Sequence, residues 1–225
     1  MAKTAKKPQK RPGRIARQAE LLTTVYKVVS EYGIDAASMR QIATRAKVST
    51  GTINYHFRNK EKLVMEALQA AYQKTLPEAD AAHTPLERLK GFAFGYILHE
   101  PNDRFWRFWM NYTVYGSRNE ELRNHQVHWF KKQQSFWTKL VREAVKEGEL
   151  PSYLDPAETA EQLSIFTHGL MVRQILQPDK KSQANCRKLL EQHFARLEMD
   201  TAARRPKVEG AREVAMLSRR GKAAA

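Results

Sequence analysis

Two short helical patterns lie unusually close together near the start of the chain. Ser38 opens the first and Ser49 opens the second, and the turn between them is formed by only Lys47 and Val48. Serine is a favoured N-cap because its hydroxyl accepts a hydrogen bond from a backbone N–H group of the first helical turn. Two capped helices joined by so short a turn predict a helix-turn-helix.

The second of these helices has an outward face made of small and polar side chains. At about 100° per residue, Ile53 and Phe57 define its buried side and Tyr55 lies opposite them. A merely solvated face usually carries Glu and Lys, and this face has neither. Asn and Thr can hydrogen-bond to base edges, Tyr and His suit phosphates, and glycine lets a backbone approach a groove closely. The face therefore predicts DNA recognition by Gly51, Thr52, Asn54, Tyr55 and His56.

Apolar residues recur at three- and four-residue steps along most of the remaining chain. The first such pattern begins at Arg14, and Gly33 stands where a helix C-cap belongs. Further helices are predicted over residues 84–99, 102–117, 119–147, 156–176 and 181–197. Since no segment shows sustained two-residue alternation, we predict an all-α protein of about nine helices.

Positive charge is concentrated at the two ends of the chain. Residues 1–65 carry 14 Lys/Arg against 4 Asp/Glu, whereas residues 66–200 carry 18 of each. Residues 1–13 form a predicted flexible basic arm, and residues 201–225 a basic tail that we expect to be disordered. Concentrated positive charge favours binding to a polyanion, which here means nucleic acid, although solvated basic tails would have the same composition.

The composition also excludes several classes of protein. No apolar run approaches the roughly 18 residues of a membrane span, and no apolar segment follows the basic start as in a secretory signal. Cys186 is the single cysteine, which excludes an intramolecular disulfide and makes a cysteine-based zinc site implausible. We therefore expect a cytoplasmic protein with no membrane partner.

Four motifs in the N-terminal part follow one another in a specific order. They are I-A-x-x-A from Ile42, V-S-x-G-T-I from Val48, Y-H-F from Tyr55 and N-K-E-x-L from Asn59. This order resembles the N-terminal domain of TetR-type repressors over about residues 14–68. The resemblance implies an all-helical transcriptional repressor that binds palindromic operator DNA as a homodimer and releases it when a small-molecule effector enters the C-terminal domain.

The resemblance also implies roles for individual residues. By position it assigns to the recognition helix Ser49, Thr50, Thr52, Asn54, Tyr55 and His56. Ser38, Arg40 and Lys60 resemble phosphate contacts. Lys47 departs from the family, which usually has glycine in the turn, so its backbone is expected to be strained while its ammonium group could reach a phosphate.

The C-terminal part resembles the BetI-like, choline-pathway subgroup of these regulators. The resemblance lies in F-W-R-F-W at residues 105–109, in a long helix with Trp129 and Trp137, and in two motifs over residues 155–178. It supports an architecture and a mode of dimerisation and leaves the effector unidentified. We therefore expect a three-helix DNA-binding domain at residues 14–62 and a ligand-binding and dimerisation domain at residues 63–200.

Aromatic and sulfur side chains in the neutral C-terminal part are the candidates for an effector site. The candidates are Trp106, Trp109, Met110, Trp129, His168 and Met171. Aromatic walls commonly line small-molecule sites, and they could hold a quaternary ammonium ligand by cation–π contacts. The same residues fit an ordinary core stripe, and His168 fits a hydrogen-bonded interior histidine.

Three further interpretations of the body are open. Apolar residues of the last two helices, such as Leu163 and Leu190, suit either a four-helix dimer interface or intramolecular packing. His125 and His128 are spaced like metal ligands, but no carboxylate or cysteine completes a set, so a surface pair is the preferred interpretation. An architectural nucleic-acid binder without a ligand would explain the basic ends equally well.

An enzyme is the least supported alternative. The chain has no Gly-rich phosphate loop, no nucleophile elbow and no paired carboxylates within an apolar run. We therefore expect no catalysis, no cofactor and no metal site.

Overall fold

The computed structural model describes residues 14–75, 83–100 and 103–203. The predicted arm over residues 1–13 lies outside the described residues, as does the predicted tail from residue 204 onward. No helix in the described part of the chain is both long enough and apolar enough to cross a membrane.

Nine helices and no strand make up the described ranges, which confirms the all-α prediction. The helices are α1 (Arg14–Ala36), α2 (Met39–Ala46), α3 (Thr50–His56), α4 (Lys60–Thr75), α5 (Pro85–Phe94), α6 (Arg104–Gly116), α7 (Glu120–Lys146), α8 (Pro156–Leu176) and α9 (Lys180–Ala203).

The two predicted serine caps are present. The Ser38 hydroxyl accepts from the Gln41 N–H group at 3.1 Å, and the Ser49 hydroxyl accepts from the Thr52 N–H group at 3.0 Å. Each such cap typically stabilises a helix by about 1 kcal/mol relative to alanine. Because α2 and α3 are only eight and seven residues long, they depend on these caps and on tertiary packing more than longer helices do.

The helix predicted over residues 84–99 ends at Phe94 in the structure. Beyond it, Ile97 and Leu98 are both buried, and the Leu98 N–H group donates to the Gln174 side chain at 3.0 Å. Burial of these two side chains and the hydrogen bond from Leu98 to Gln174 compensate for the helical hydrogen bonds that the last predicted turn would have made. Periodicity alone cannot detect this exchange because Gln174 lies 76 residues away.

The described residues group into two compact units along the chain. Within the described ranges, unit 1 comprises residues 14–75, 98–100, 103–133 and 171–180, and unit 2 comprises residues 83–97, 134–170 and 181–203. In unit 1, α1 packs against α2, α4 and α6. The core of unit 2 is an apolar cluster that includes Leu89, Trp137, Leu140, Leu163, Leu190 and Phe194.

Lys47 has the left-handed backbone that was expected of a turn where glycine is usual. Its φ is 55° and its ψ is 40°, and it is the one non-glycine residue with positive φ in the described ranges. The turn is stabilised because the Lys47 N–H group donates to Thr44 O at 3.2 Å and the Val48 N–H group donates to Ala43 O at 3.0 Å. The lysine side chain is exposed.

Replacing Lys47 by glycine should stabilise the protein. A left-handed residue with a Cβ costs roughly 1–2 kcal/mol, and the entropy lost by glycine on folding offsets part of the gain, which leaves up to about 1 kcal/mol. Denaturant unfolding of Lys47→Gly against wild type measures the change. Lys47→Gln removes the charge but keeps the Cβ, so it should leave the free energy of unfolding unchanged. A less stable Lys47→Gly protein would contradict the strain argument.

Candidate nucleic-acid interface and aromatic cluster

The outward face of α3 is exposed as its helical phase predicted. Ile53 is fully buried beneath the helix, while Tyr55 on the opposite side is 80% exposed. Gly51, Thr52 and Asn54 are exposed as well. The face is thus held by one buried isoleucine and presents its polar groups to solvent.

The hydroxyl of Thr52 is oriented by the cap of its own helix. Ser49 Oγ and Thr52 Oγ1 lie 2.9 Å apart and share one hydrogen bond. A hydroxyl both donates and accepts, so Thr52 keeps hydrogen-bonding capacity for a further partner. The bond to Ser49 orients the Thr52 hydroxyl group for such a partner.

The other predicted nucleic-acid contacts surround α3 with differing exposure. Ser38, Arg40, Lys47 and Ser49 are exposed, whereas Thr50, His56 and Lys60 are half-buried. Neither α2 nor α3 contains an acidic residue, so no carboxylate in these two helices opposes a phosphate group.

One cation of α2 is held against α1. The Arg45 guanidinium lies 4.6 Å from the centroid of the Tyr32 ring and 3.7 Å from the Glu31 carboxylate. Both groups are on the surface, so the contact is screened and contributes little to stability. Its effect is to orient an additional exposed arginine that the sequence pattern did not single out.

The Lys60 ammonium group is engaged inside unit 1. It donates to Ile34 O at 3.1 Å and lies 5.3 Å from the centroid of the Tyr115 ring. An ammonium group has three donors, so this arrangement leaves donors for a phosphate. The phosphate contact of Lys60 stays a prediction.

Aromatic side chains of α4, α6 and α7 form a continuous group within unit 1. We call this group the aromatic cluster; its members are Tyr72, Phe105, Trp106, Trp109, Trp129 and Phe130. The Trp106 and Trp109 rings are 6.0 Å apart and each residue is only 6% exposed. Trp129 stacks on Tyr72 at 5.5 Å between ring centroids. Sequence reasoning missed Tyr72, because nothing local distinguishes it from an ordinary helix residue.

His125 links this cluster to the core by two hydrogen bonds. The Trp129 Nε1–H group donates to His125 Nε2 at 3.1 Å, and Tyr112 Oη lies 2.7 Å from His125 Nδ1. Indole nitrogen can only donate, so Nε2 carries no proton and a neutral ring donates from Nδ1 to Tyr112. His125 is therefore a half-buried connector, which differs from the surface pair that its spacing from His128 suggested.

The local environment favours the neutral form of His125. Burial lowers the pKa of this imidazole below its ordinary value of 6.5, and the positive charges of His128 and Lys132 lower it further. In the described part of the chain no group of three His, Cys, Asp or Glu side chains could hold a metal ion.

The remaining predicted effector residues are placed as follows. Met110 is half-buried and Met171 is fully buried, both in unit 1. His168 belongs to unit 2, where its Nδ1 atom lies 2.7 Å from Ser164 O and its ring packs on Tyr96 at 4.8 Å. Burial lowers the pKa of His168, so its ring is neutral at pH 7.

An open cleft of about 430 Å³ lies in unit 1. Its lining comprises Leu22, Lys62, Met65, Glu66, Gln69, Ala70 and His125. None of the six predicted effector residues is in this lining. His125 is the point at which the cleft adjoins the aromatic cluster, since its Nε2 atom accepts from Trp129.

Two family profiles match most of the described chain. The profile for bacterial regulatory proteins of the tetR family matches residues 21–67, and the profile for the C-terminal part of BetI-type transcriptional repressors matches residues 85–198.

Individual proteins similar to this chain are also transcriptional regulators. The HTH-type transcriptional repressor KstR2 of Mycolicibacterium smegmatis is 27% identical over 62% of this chain and 70% of its own length. The HTH-type transcriptional regulator BetI of Vibrio parahaemolyticus is 25% identical over 68% of this chain and 74% of its own length.

Solved structures share the fold. A TetR transcription regulator from Haloarcula marismortui superposes with a TM-score of 0.71 at 14% identity, covering 81% of this chain and 98% of its own. A protein from Saccharomonospora viridis, described as a transcriptional regulator and solved in complex with choline, gives a TM-score of 0.70 at 20% identity, covering 81% and 97%.

Acidification should weaken the folded state through His125. Because the pKa of His125 is lowered in the folded protein, the unfolded chain binds more protons below about pH 6.5, and stability falls as pH falls through that range. Urea unfolding at pH 7.5 and pH 5.5 measures the loss. Burial also lowers the pKa of His168 and of His193, so His125→Gln should reduce the loss without abolishing it. An identical pH dependence in His125→Gln would contradict the assignment.

Proposed function

Because this chain belongs to the TetR family of bacterial regulatory proteins, we propose that it is a repressor that binds palindromic operator DNA as a homodimer and is released by a small-molecule effector. The observation that carries the proposal is the acid-free outward face of α3, exposed at Thr52, Asn54 and Tyr55 above the buried Ile53. In this proposal residues 14–62 bind DNA, and residues 63–200 bind the effector and dimerise.

The proposed division of contacts on DNA follows the chemistry of each side chain. Thr52 and Asn54 have groups that can distinguish base edges in the major groove. Tyr55, His56 and the cations Arg40, Lys47 and Lys60 suit phosphate oxygens, which fix position without reading sequence. The excess of Lys/Arg over Asp/Glu in residues 1–65 adds a salt-dependent attraction.

The proposed dimer partner is a second copy of this chain, packed along α8. Ile165 is 67% exposed on this helix, and Gly169, one turn further on, is exposed as well. A Cβ added at Gly169 would meet nothing within 4 Å, so the bare backbone is open to close approach by another helix. Met199 of α9 is also 69% exposed. Such apolar residues on two helices suit a four-helix interface.

The aromatic cluster is the proposed effector site, and an organic cation is the proposed effector class. The Lys132 ammonium group lies 5.0 Å from the centroid of the Trp129 ring, so one cation already occupies a cation–π position at this cluster. The neighbour solved with choline supports the same class. Binding would have to favour the DNA-incompetent arrangement, since equal affinity for both arrangements would shift nothing.

An architectural DNA-binding protein without an effector is the second candidate function. It is favoured by the close packing of the predicted effector residues, because Trp106 contacts Trp109 and Trp129 is stacked on Tyr72, a residue outside the predicted set. The open cleft of unit 1 is lined by other residues. The two functions differ in whether any small molecule changes DNA affinity.

Selection from a random duplex library should enrich a palindrome whose half-site centres are about 34 Å apart. Tyr55→Ala should lower affinity for it by at least about tenfold, the loss expected for a hydrogen bond to a charged phosphate worth about 1.5–3 kcal/mol. Thr52→Ala and Asn54→Ala should also relax the selected sequence. Tyr153→Ala, which removes an exposed tyrosine of unit 2, should change nothing. Wild-type affinity in all three α3 variants would refute the recognition face.

Choline should quench or shift tryptophan fluorescence saturably and release the selected operator over the same concentration range. Trp129→Leu should weaken choline binding about two- to thirtyfold, the range expected for a cation–π contact of 0.5–2 kcal/mol. Trp137→Phe is the matched control, because Trp137 is buried in the core of unit 2. If neither choline nor a panel of other organic cations changes either signal, the architectural function is favoured.

A further inference from the structure

Helix α6 donates a hydrogen bond to α1 just before the helical backbone of α1 is interrupted. Gly33 has φ 82° and ψ 168°, which is not helical. The four residues before Gly33 therefore form the last turn of a regular helix. Carbonyl groups in a last turn lack the usual i+4 N–H donor and need another one. The Asn111 side-chain N–H₂ group donates to Val29 O at 3.2 Å and to Arg107 O, in its own helix, at 3.0 Å.

Gly33 and Asn111 fit each other closely. A Cβ built on Gly33 would lie 3.1 Å from Asn111 Oδ1. The positive φ favours glycine at this position, and a Cβ here would press on the Asn111 amide. Asn111 occupies the space that the missing side chain leaves and supplies a donor to the carbonyl beside it.

A second donor holds the segment that follows the interruption. Lys60 donates to Ile34 O at 3.1 Å while its ammonium group lies over the ring of Tyr115, on the same helix as Asn111. The Ala37 N–H group donates to the same carbonyl at 3.2 Å, and the Ala37 side chain is fully buried. The next residue is Ser38, the N-cap of α2.

The path from Asn111 to the recognition helix is thus short and continuous. The helical backbone of α1 is interrupted at Gly33, the segment after it is held at Ile34 and Ala37, and Ser38 then caps α2. Helices α2 and α3 pack against each other and are joined by the two-residue turn at Lys47 and Val48. A change in direction at Gly33 would therefore move α2 and α3 together relative to the remainder of unit 1.

We propose that Asn111 is a positioning residue for operator recognition, acting through the backbone of α1 without touching DNA. The proposal rests on the proposed function, because it concerns the placement of α3 in a groove. Two recognition helices of a dimer must meet two half-sites at a fixed spacing. If the segment from Gly33 to Ser38 becomes more mobile, affinity for the specific operator should fall. Affinity for any other duplex should not, because it depends on basic side chains that are unchanged.

The experiment compares two Asn111 variants with a control on the same helix. Asn111→Ala removes the whole amide, and Asn111→Asp keeps its shape but removes both N–H donors. Val114→Ala truncates an exposed apolar side chain of α6 and serves as the control. Each full-length protein is titrated against the operator selected by wild type and against a random duplex of equal length. Amide hydrogen exchange is followed over residues 29–37 and in the core of unit 2.

Both Asn111 variants should bind the operator about tenfold more weakly, which is the scale of one lost hydrogen bond to a buried partner. Affinity for the random duplex should stay within a factor of two of wild type, because non-specific binding depends on charge. Exchange should accelerate over residues 29–37 and stay at the wild-type rate in the core of unit 2. Val114→Ala should match wild type in every measurement.

Several results would overturn the proposal. An equal loss of affinity for the operator and for the random duplex would indicate general destabilisation. An unchanged operator affinity would show that the segment from Gly33 to Ser38 does not position α3. Unchanged exchange over residues 29–37 would show that the amide does not hold α1. If wild type itself enriches no sequence, the proposed function fails and this proposal fails with it. If wild type enriches a palindrome and the variants bind it normally, only this proposal fails.

Discussion

Helix α1 supplies the packing surface on which unit 1 depends. Val25, Val28 and Val29 are almost completely buried, and α1 packs against α2, α4 and α6. The helices proposed to read DNA are short and could not be stable alone, because isolated helices of fewer than about 12 residues are marginal in water. They acquire a fixed shape by burying Ile42 and Ile53 within unit 1. The apolar side chains beneath α3 therefore hold its polar face toward solvent.

Two residues of unit 1 with positive φ lie where the chain changes direction. Gly33 interrupts α1 with a positive φ, and Lys47 adopts left-handed backbone in the turn between α2 and α3. Each of these positions is stabilised by hydrogen bonds to neighbouring carbonyls, from Asn111 near Gly33 and from the Lys47 and Val48 N–H groups in the turn. A lysine in a position that glycine fits better is consistent with the proposed phosphate contact of its ammonium group, made at a cost in stability.

Two aromatic side chains of unit 1, Trp129 and Tyr112, are positioned by hydrogen bonds as well as by apolar contact. His125 accepts from Trp129 and contacts Tyr112, so one neutral imidazole orients two aromatic side chains. Trp129 in turn stacks on Tyr72 of α4, the helix that also carries Lys60. Any ligand that displaces Trp129 would therefore disturb α4 as well as α7. These contacts connect the proposed effector site to α4 within unit 1.

The sequence by itself determined the helices, the serine caps and the outward face of α3. These depend on residues a few positions apart, so their periodicity and spacing are visible in the chain. The strained backbone of Lys47 was implied by the resemblance to a family with glycine in that turn. Only the tertiary structure decided the partners of Asn111, Lys60 and His125, and it ended α5 early by burying Ile97 and Leu98. Asn111 and Val29 lie 82 residues apart. No local pattern encodes such a pairing, because it exists only once α6 has packed on α1.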